Sequence, residues 1–140
     1  MIPMHSLKEG DIVDAQFEEV TARGSVIQFD RENNQVCVVT NDDQECWYAP
    51  ADLYPIRLGK DELQRLGFTK KTDGDGAVTY VRGPFSIQVG GDPETLNELT
   101  LLYRNEAPRI FHHGLYLHEL QNHYLDITNV HLVDRAALED

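Results

Sequence analysis

Four of the chain's six histidines lie in "HHGLYLHELQNHYLDITN", His112 to Asn129, next to Glu119. Histidines four apart on one helix face, with a glutamate between them, make a zinc hydrolase, because both rings reach one metal and the carboxylate serves as general base. Here His118 and His123 are five apart. At about 100° per residue their rings diverge by roughly 140°, too far to chelate one ion unaided. His112 and His113 precede Gly114 at the expected end of a strand, where adjacent side chains point to opposite sheet faces, so at most one of them could join His118. His118 and Glu119 are sequence neighbours on diverging directions and do not converge as an acid–base pair. With no nucleophile elbow, phosphate-binding loop or metal set in the chain, the expectation is that it is not an enzyme and carries no metal or cofactor.

The elements that position these residues are more legible. Leu117, Leu120, Tyr124 and Ile127 recur at helical spacing and predict an amphipathic docking helix, with His118, Gln121 and Asn122 off its apolar stripe. In that place a His-x-x-Gln-Asn set can hydrogen-bond backbone groups at a helix–sheet junction. Up to about Pro55 the chain reads as short strands separated by turn residues: "DIVDAQFEEV", "RGSVIQFD", "NQVCVVT" and "ECWYA". That spacing predicts a small β-barrel, and the opening "LKEGDIV" is similar to the first strand of SH3-like barrels. "KDELQRLGF" is a short helix stopped by Gly67, and the strands "FTKKT", "AVTYVR", "PFSIQVG", "ELTLLYR" and "PRIFHH" follow. "DGDG", Asp73 to Gly76, is a hairpin turn, because the further ligands of a calcium loop do not follow it. The tail "VHLVDRAALED" is one more strand or a frayed helical end. The fold class is therefore α+β: an SH3-like β-barrel over residues 1–56, then an antiparallel α+β domain with two helices over residues 57–140.

At 140 residues the chain can bury one core or two small ones. No apolar run approaches a membrane span and "MIPMHSLKEGD" lacks the apolar region of a signal peptide, so a cytoplasmic location is expected. A formal charge of −12, spread over both halves, disfavours binding to nucleic acid backbones, where like charges repel. Cys37 and Cys46 flank the turn-rich "TNDDQE"; a bridge is geometrically conceivable there, but a reducing compartment favours two free thiols.

Two motifs carry a resemblance. "DLYPIRLGKDELQRLGF", followed after a strand-rich interval by "LYLHELQNHYLDITN", resembles a family of small uncharacterised proteins encoded by phages, prophages and mobile elements of gut Bacteroidota. In that family a Pro-Ile-Pro-Leu-Thr-like run leads into a helix ending in Gly-Phe, and a Val-His-Gln-Leu-Gln-Asn-Leu-Tyr-like helix closes on Thr-Gly. Matching positions are Pro55, Ile56, Leu58, Leu63, Gly67 and Phe68, then Leu117, His118, Leu120, Gln121, Asn122, Tyr124 and Thr128. Arg57, Gly59 and Asn129 stand where the family has proline, a capping threonine and glycine. The resemblance covers about half of the chain and implies a phage–host setting in the host cytoplasm, without lending a mechanism.

Within that setting the expected function is noncatalytic binding that sequesters a small host ligand, such as a nucleotide-type immune signal. Aromatic stacking and cations would serve such a ligand, and Trp47, Tyr48, Arg57, Arg82, Arg104, Arg109 and His118 are the candidate residues. Of Trp47 and Tyr48, neighbours on one strand, one ring should face inward and the other outward. The alternative is an acidic protein-interaction module that binds and inhibits a host protein. A homo-oligomer is compatible with either.

Overall fold

The computed structural model describes residues 1–40 and 43–133. Compact packing divides them into two units, Met1–Ile56 with Tyr116–Val133, and Arg57–Leu115.

In the first unit a 3-10 turn, Met4–Ser6, leads into β1 (Ile12–Phe17), β2 (Val20–Asp30), β3 (Gln35–Thr40) and β4 (Glu45–Tyr48). A second 3-10 turn, Pro50–Asp52, then leads into the two-residue β5 (Leu53–Tyr54). The sheet is antiparallel with the order β4-β3-β2-β1-β5. Apolar and polar residues alternate along β1 and β2, so one face gathers the core: Ile2, Leu7, Val13, Ala15, Val26, Val36, Val38, Tyr48 and Leu53. A register shift between Val26 and Gln28 bends the long β2. Gly24 allows the close approach of β3, since a Cβ there would lie 2.5 Å from the Val39 carbonyl oxygen.

The sheet is open. β4 and β5 are its edges, and among the described residues no pairing between them closes the barrel expected from the sequence. Only two residues long, β5 spends its ladder on Asp14 and Ala15 of β1.

Helix α2 (Leu117–Thr128) belongs to this unit, and not with the strands that precede it in the chain. It packs on β1 through a buried stripe of Leu117, Leu120 and Tyr124. The Leu117 N–H donates to the Ile56 carbonyl at 2.8 Å, pinning its start. Asn129, in the left-handed conformation at φ 60°, ends it, a role that asparagine fills almost as readily as glycine.

The second unit is a five-stranded meander, β6 (Thr69–Thr72), β7 (Val78–Arg82), β8 (Phe85–Gly90), β9 (Glu98–Tyr103) and β10 (Arg109–Phe111), ordered β10-β9-β8-β7-β6. "DGDG" lies in the β6–β7 hairpin, where the Gly76 N–H donates to the Asp73 carbonyl. Tyr80, Phe85, Ile87, Leu99 and Leu101 are buried, as are Leu63 of α1 (Lys60–Arg65) and Leu66 and Phe68 just after it. Phe68 meets Phe85 edge-on at 6.1 Å. Among the described residues no helix is long and apolar enough to cross a membrane. Of the expected final element, residues 134–140 lie outside the described residues, and 130–133 form neither strand nor helix.

Candidate functional site

The N-terminal turn and the start of α2 line an open cleft of about 520 Å³ in the first unit. Pro3, with φ at −62°, sets up the turn, and the Ser6 N–H and hydroxyl both donate to its carbonyl, at 3.1 and 2.8 Å. Across the cleft stand Tyr116, His118, Asn122 and His123. Tyr116 precedes the helix, held there because its N–H donates to Glu119 Oε1 at 2.8 Å. Its half-exposed ring lies nearly parallel to His118, 12° between planes and 6.2 Å between centroids, an offset stack.

Of the polar residues that fall beside the apolar stripe, His118 and Gln121 are buried and Asn122 is half-buried. Gln121 uses its whole amide: Oε1 accepts from Ile12 N–H, and Nε2 donates to the Gly10 and Leu132 carbonyls, each at 2.8 Å. Asn122 Nδ2 donates to the Ser6 carbonyl at 2.9 Å. Two buried atoms have no partner among the described residues, His118 Nδ1 and Asn122 Oδ1. An unmet buried polar atom costs about 1–3 kcal/mol, and both atoms belong to side chains of residues that line the cleft.

Electrostatics at this junction run against the usual directions. Burial holds His118 below its ordinary range and favours the neutral imidazole, while Glu119 acts the other way. Asp11, buried behind the turn, accepts from the Lys8 N–H at 2.9 Å. Burial pushes its carboxyl up to about 7, despite the opposing Lys8 N–H, Asn122 side chain and Lys8 ammonium. His5, His118 and His123 all line the cleft, yet among the described residues no group of three His, Cys, Asp or Glu side chains is placed to hold a metal ion.

The seven residues singled out from the sequence fall into separate places. His118 lines this cleft, whereas Trp47 and Tyr48 line a second one of about 530 Å³ on the first sheet. Tyr48 points into the core at 9% exposure and Trp47 outward at 44%. The four arginines belong to the second unit. Arg57 donates to Asn97 Oδ1 at 3.0 Å. Arg82 sits opposite Phe85, Phe85 opposite Tyr103, and Arg109 opposite Leu101, so Arg82, Arg104 and Arg109 gather at one end of the second sheet. There the Arg104 guanidinium lies 5.1 Å from the centre of the Tyr103 ring.

Sequence reasoning missed His5, Lys8 and Tyr116 as cleft residues and gave Asn122 only a structural part. The Asn122–Ser6 bond spans 116 residues, and no local spacing signals such a contact. In comparisons with known proteins, no family model, no curated protein and no solved structure matches this chain.

Proposed function

We propose that the protein is a noncatalytic binding protein that sequesters a small nucleotide-type ligand in the cleft between the Met4–Ser6 turn and α2. The observation that carries this reading is the pair of unpartnered buried atoms, His118 Nδ1 and Asn122 Oδ1, in side chains that line one cleft with the exposed Tyr116 ring. A nucleobase needs a flat apolar surface and a few polar groups, and its phosphates need cations. Tyr116 offers the surface, His118 and Asn122 the polar groups, and Lys8 the cation. About 520 Å³ lies within the roughly 300–1,000 Å³ typical of small-molecule sites. In the phage–host setting implied by the motif resemblance, the ligand would be a host signal in the host cytoplasm. The first unit we read as an SH3-like half-barrel, supported by its strand order and by the 3-10 turn before its last strand.

A thermal-shift panel of cyclic oligonucleotides and ADP-ribose derivatives tests this. Ligand at 100 times its Kd should add about 2.7 kcal/mol of stability. A selective rise that disappears in Tyr116→Ala and Lys8→Ala, but persists in Arg82→Ala and Arg109→Ala, is the expected result. Loss only in the arginine variants would move the site to the end of the second sheet, and a flat panel would remove the reading.

A further inference from the structure

The core-bearing face of the first sheet is covered at one end and bare at the other. Cross-strand register sets Ala15 opposite Ala22 and Phe17 opposite Val20, while Val38 faces Cys46 and Val36 faces Tyr48. Directly opposed residues share a face, so the exposed Phe17 and Val20 and the half-buried Ala22 continue the surface on which Val13, Ala15 and Val26 pack with Ile2, Leu7 and Leu53. At the β1–β2 hairpin that surface runs out into solvent, with Phe17 68% and Val20 67% exposed. The small side chains of Ala15 and Ala22 help to keep open a cleft of about 530 Å³, walled by Phe17, Val20, Tyr48 and Trp47.

The rim has one sign of charge. Glu18 and Glu19 form the hairpin turn between Phe17 and Val20, and Asp43 immediately precedes Gln44 of the lining, all exposed. Among the described residues the lining itself carries no charged side chain of either sign, so the charge beside it comes from these turn carboxylates. Glu18 adopts φ 55° at this tight turn.

We propose that this cleft is a docking site for a partner protein's segment carrying a large apolar side chain flanked by lysines or arginines. The apolar anchor fills the space beside Phe17, Val20 and Ala22, and the flanking cations meet Glu18, Glu19 and Asp43. A second copy of this chain fits poorly, because face-to-face pairing would bring two acidic rims together. Nucleic acid and anionic lipid fail on the same sign of charge. This cleft and the Tyr116–His118 cleft share no lining residue, so the docking proposal stands or falls independently of the ligand reading.

Trp47 is the chain's single tryptophan and is among the lining residues, so its emission serves as a probe beside this cleft. The experiment titrates the full chain with synthetic peptides of about ten residues, a central Phe or Leu flanked by lysines and arginines, against versions in which the cations are replaced by glutamates. We expect a saturable change with the basic peptides, weakened as salt rises from about 0.05 to 0.3 M. Phe17→Ser or Glu18→Lys/Glu19→Lys should weaken it about tenfold, with circular dichroism unchanged because these side chains are exposed. No saturable response, equal binding of acidic and basic peptides, or indifference to Phe17→Ser would overturn the proposal. So would concentration-dependent dimerisation in sedimentation velocity that Phe17→Ser abolishes while no peptide binds, since the face would then be a self-interface.

Discussion

Gln121 Oε1 accepts a 2.8 Å hydrogen bond from the backbone N–H of Ile12, 109 residues earlier in the chain. The same amide donates to Gly10 and Leu132, so one side chain ties together the entry to β1, the helix and the segment after it. Replacing it by Leu leaves a buried N–H and two carbonyls unmet. We expect Gln121→Leu to lose about 2–5 kcal/mol in urea unfolding, with Gln121→Glu also destabilised because a carboxylate cannot donate. A loss below about 1 kcal/mol would show that water replaces the amide at little cost.

Asp11 makes stability depend on pH. Its folded carboxyl titrates near 7 against an ordinary value of 3.8, so within that window the folded chain keeps a proton that the unfolded chain has released. Stability should therefore fall as pH rises from about 4 to 7, by at most about 1.4 kcal/mol per pH unit. Asp11→Asn should flatten this slope and be the more stable protein at pH 8. A slope unchanged in Asp11→Asn would assign the dependence to another group.

His118 acts with the opposite sign. Burial lowers its folded value beneath the ordinary 6.5, so on acidification the unfolded chain takes up the proton first and stability falls as pH drops below 6.5. In the wild-type chain this opposes the Asp11 effect; in Asp11→Asn it should emerge as a rise in stability with pH up to about 6.5. Ring carbon chemical shifts read by NMR should place the His118 midpoint below that of a free imidazole, and a midpoint above 6.5 would contradict the burial.

The two thiols should behave differently toward a maleimide. Cys37 pairs across the strands with Trp47, and Cys46 with Val38, so the sulfurs lie one residue out of register and on opposite faces. Cys37 is buried and its thiol is pushed up chiefly by that burial; Cys46 is exposed. We expect one fast modification per native chain and two in denaturant, with modification of Cys46 perturbing Trp47 emission. A fully unreactive, oxidised chain in mass spectrometry would reveal a bridge that this register does not favour.

What the sequence determined by itself was local. Alternation along Val78-Thr79-Tyr80 and Phe85-Ser86-Ile87 set the strands of the second sheet, Asp73 to Gly76 set a hairpin, and Leu117, Leu120 and Tyr124 set the buried stripe of a helix. Periodicity and turn chemistry act over a few residues, so a chain read in order displays them. Only the tertiary structure decided which unit that helix joins, that the first sheet stays open, and that Ser6 and Asn122 meet at one cleft. Contacts such as these, more than a hundred residues apart along the chain, are chosen by which buried backbone groups need a partner, and a linear pattern does not record that demand. For the same reason His118 drew notice from the sequence while Lys8, Asp11 and Tyr116 did not: their chemistry comes from what surrounds them once the chain has folded.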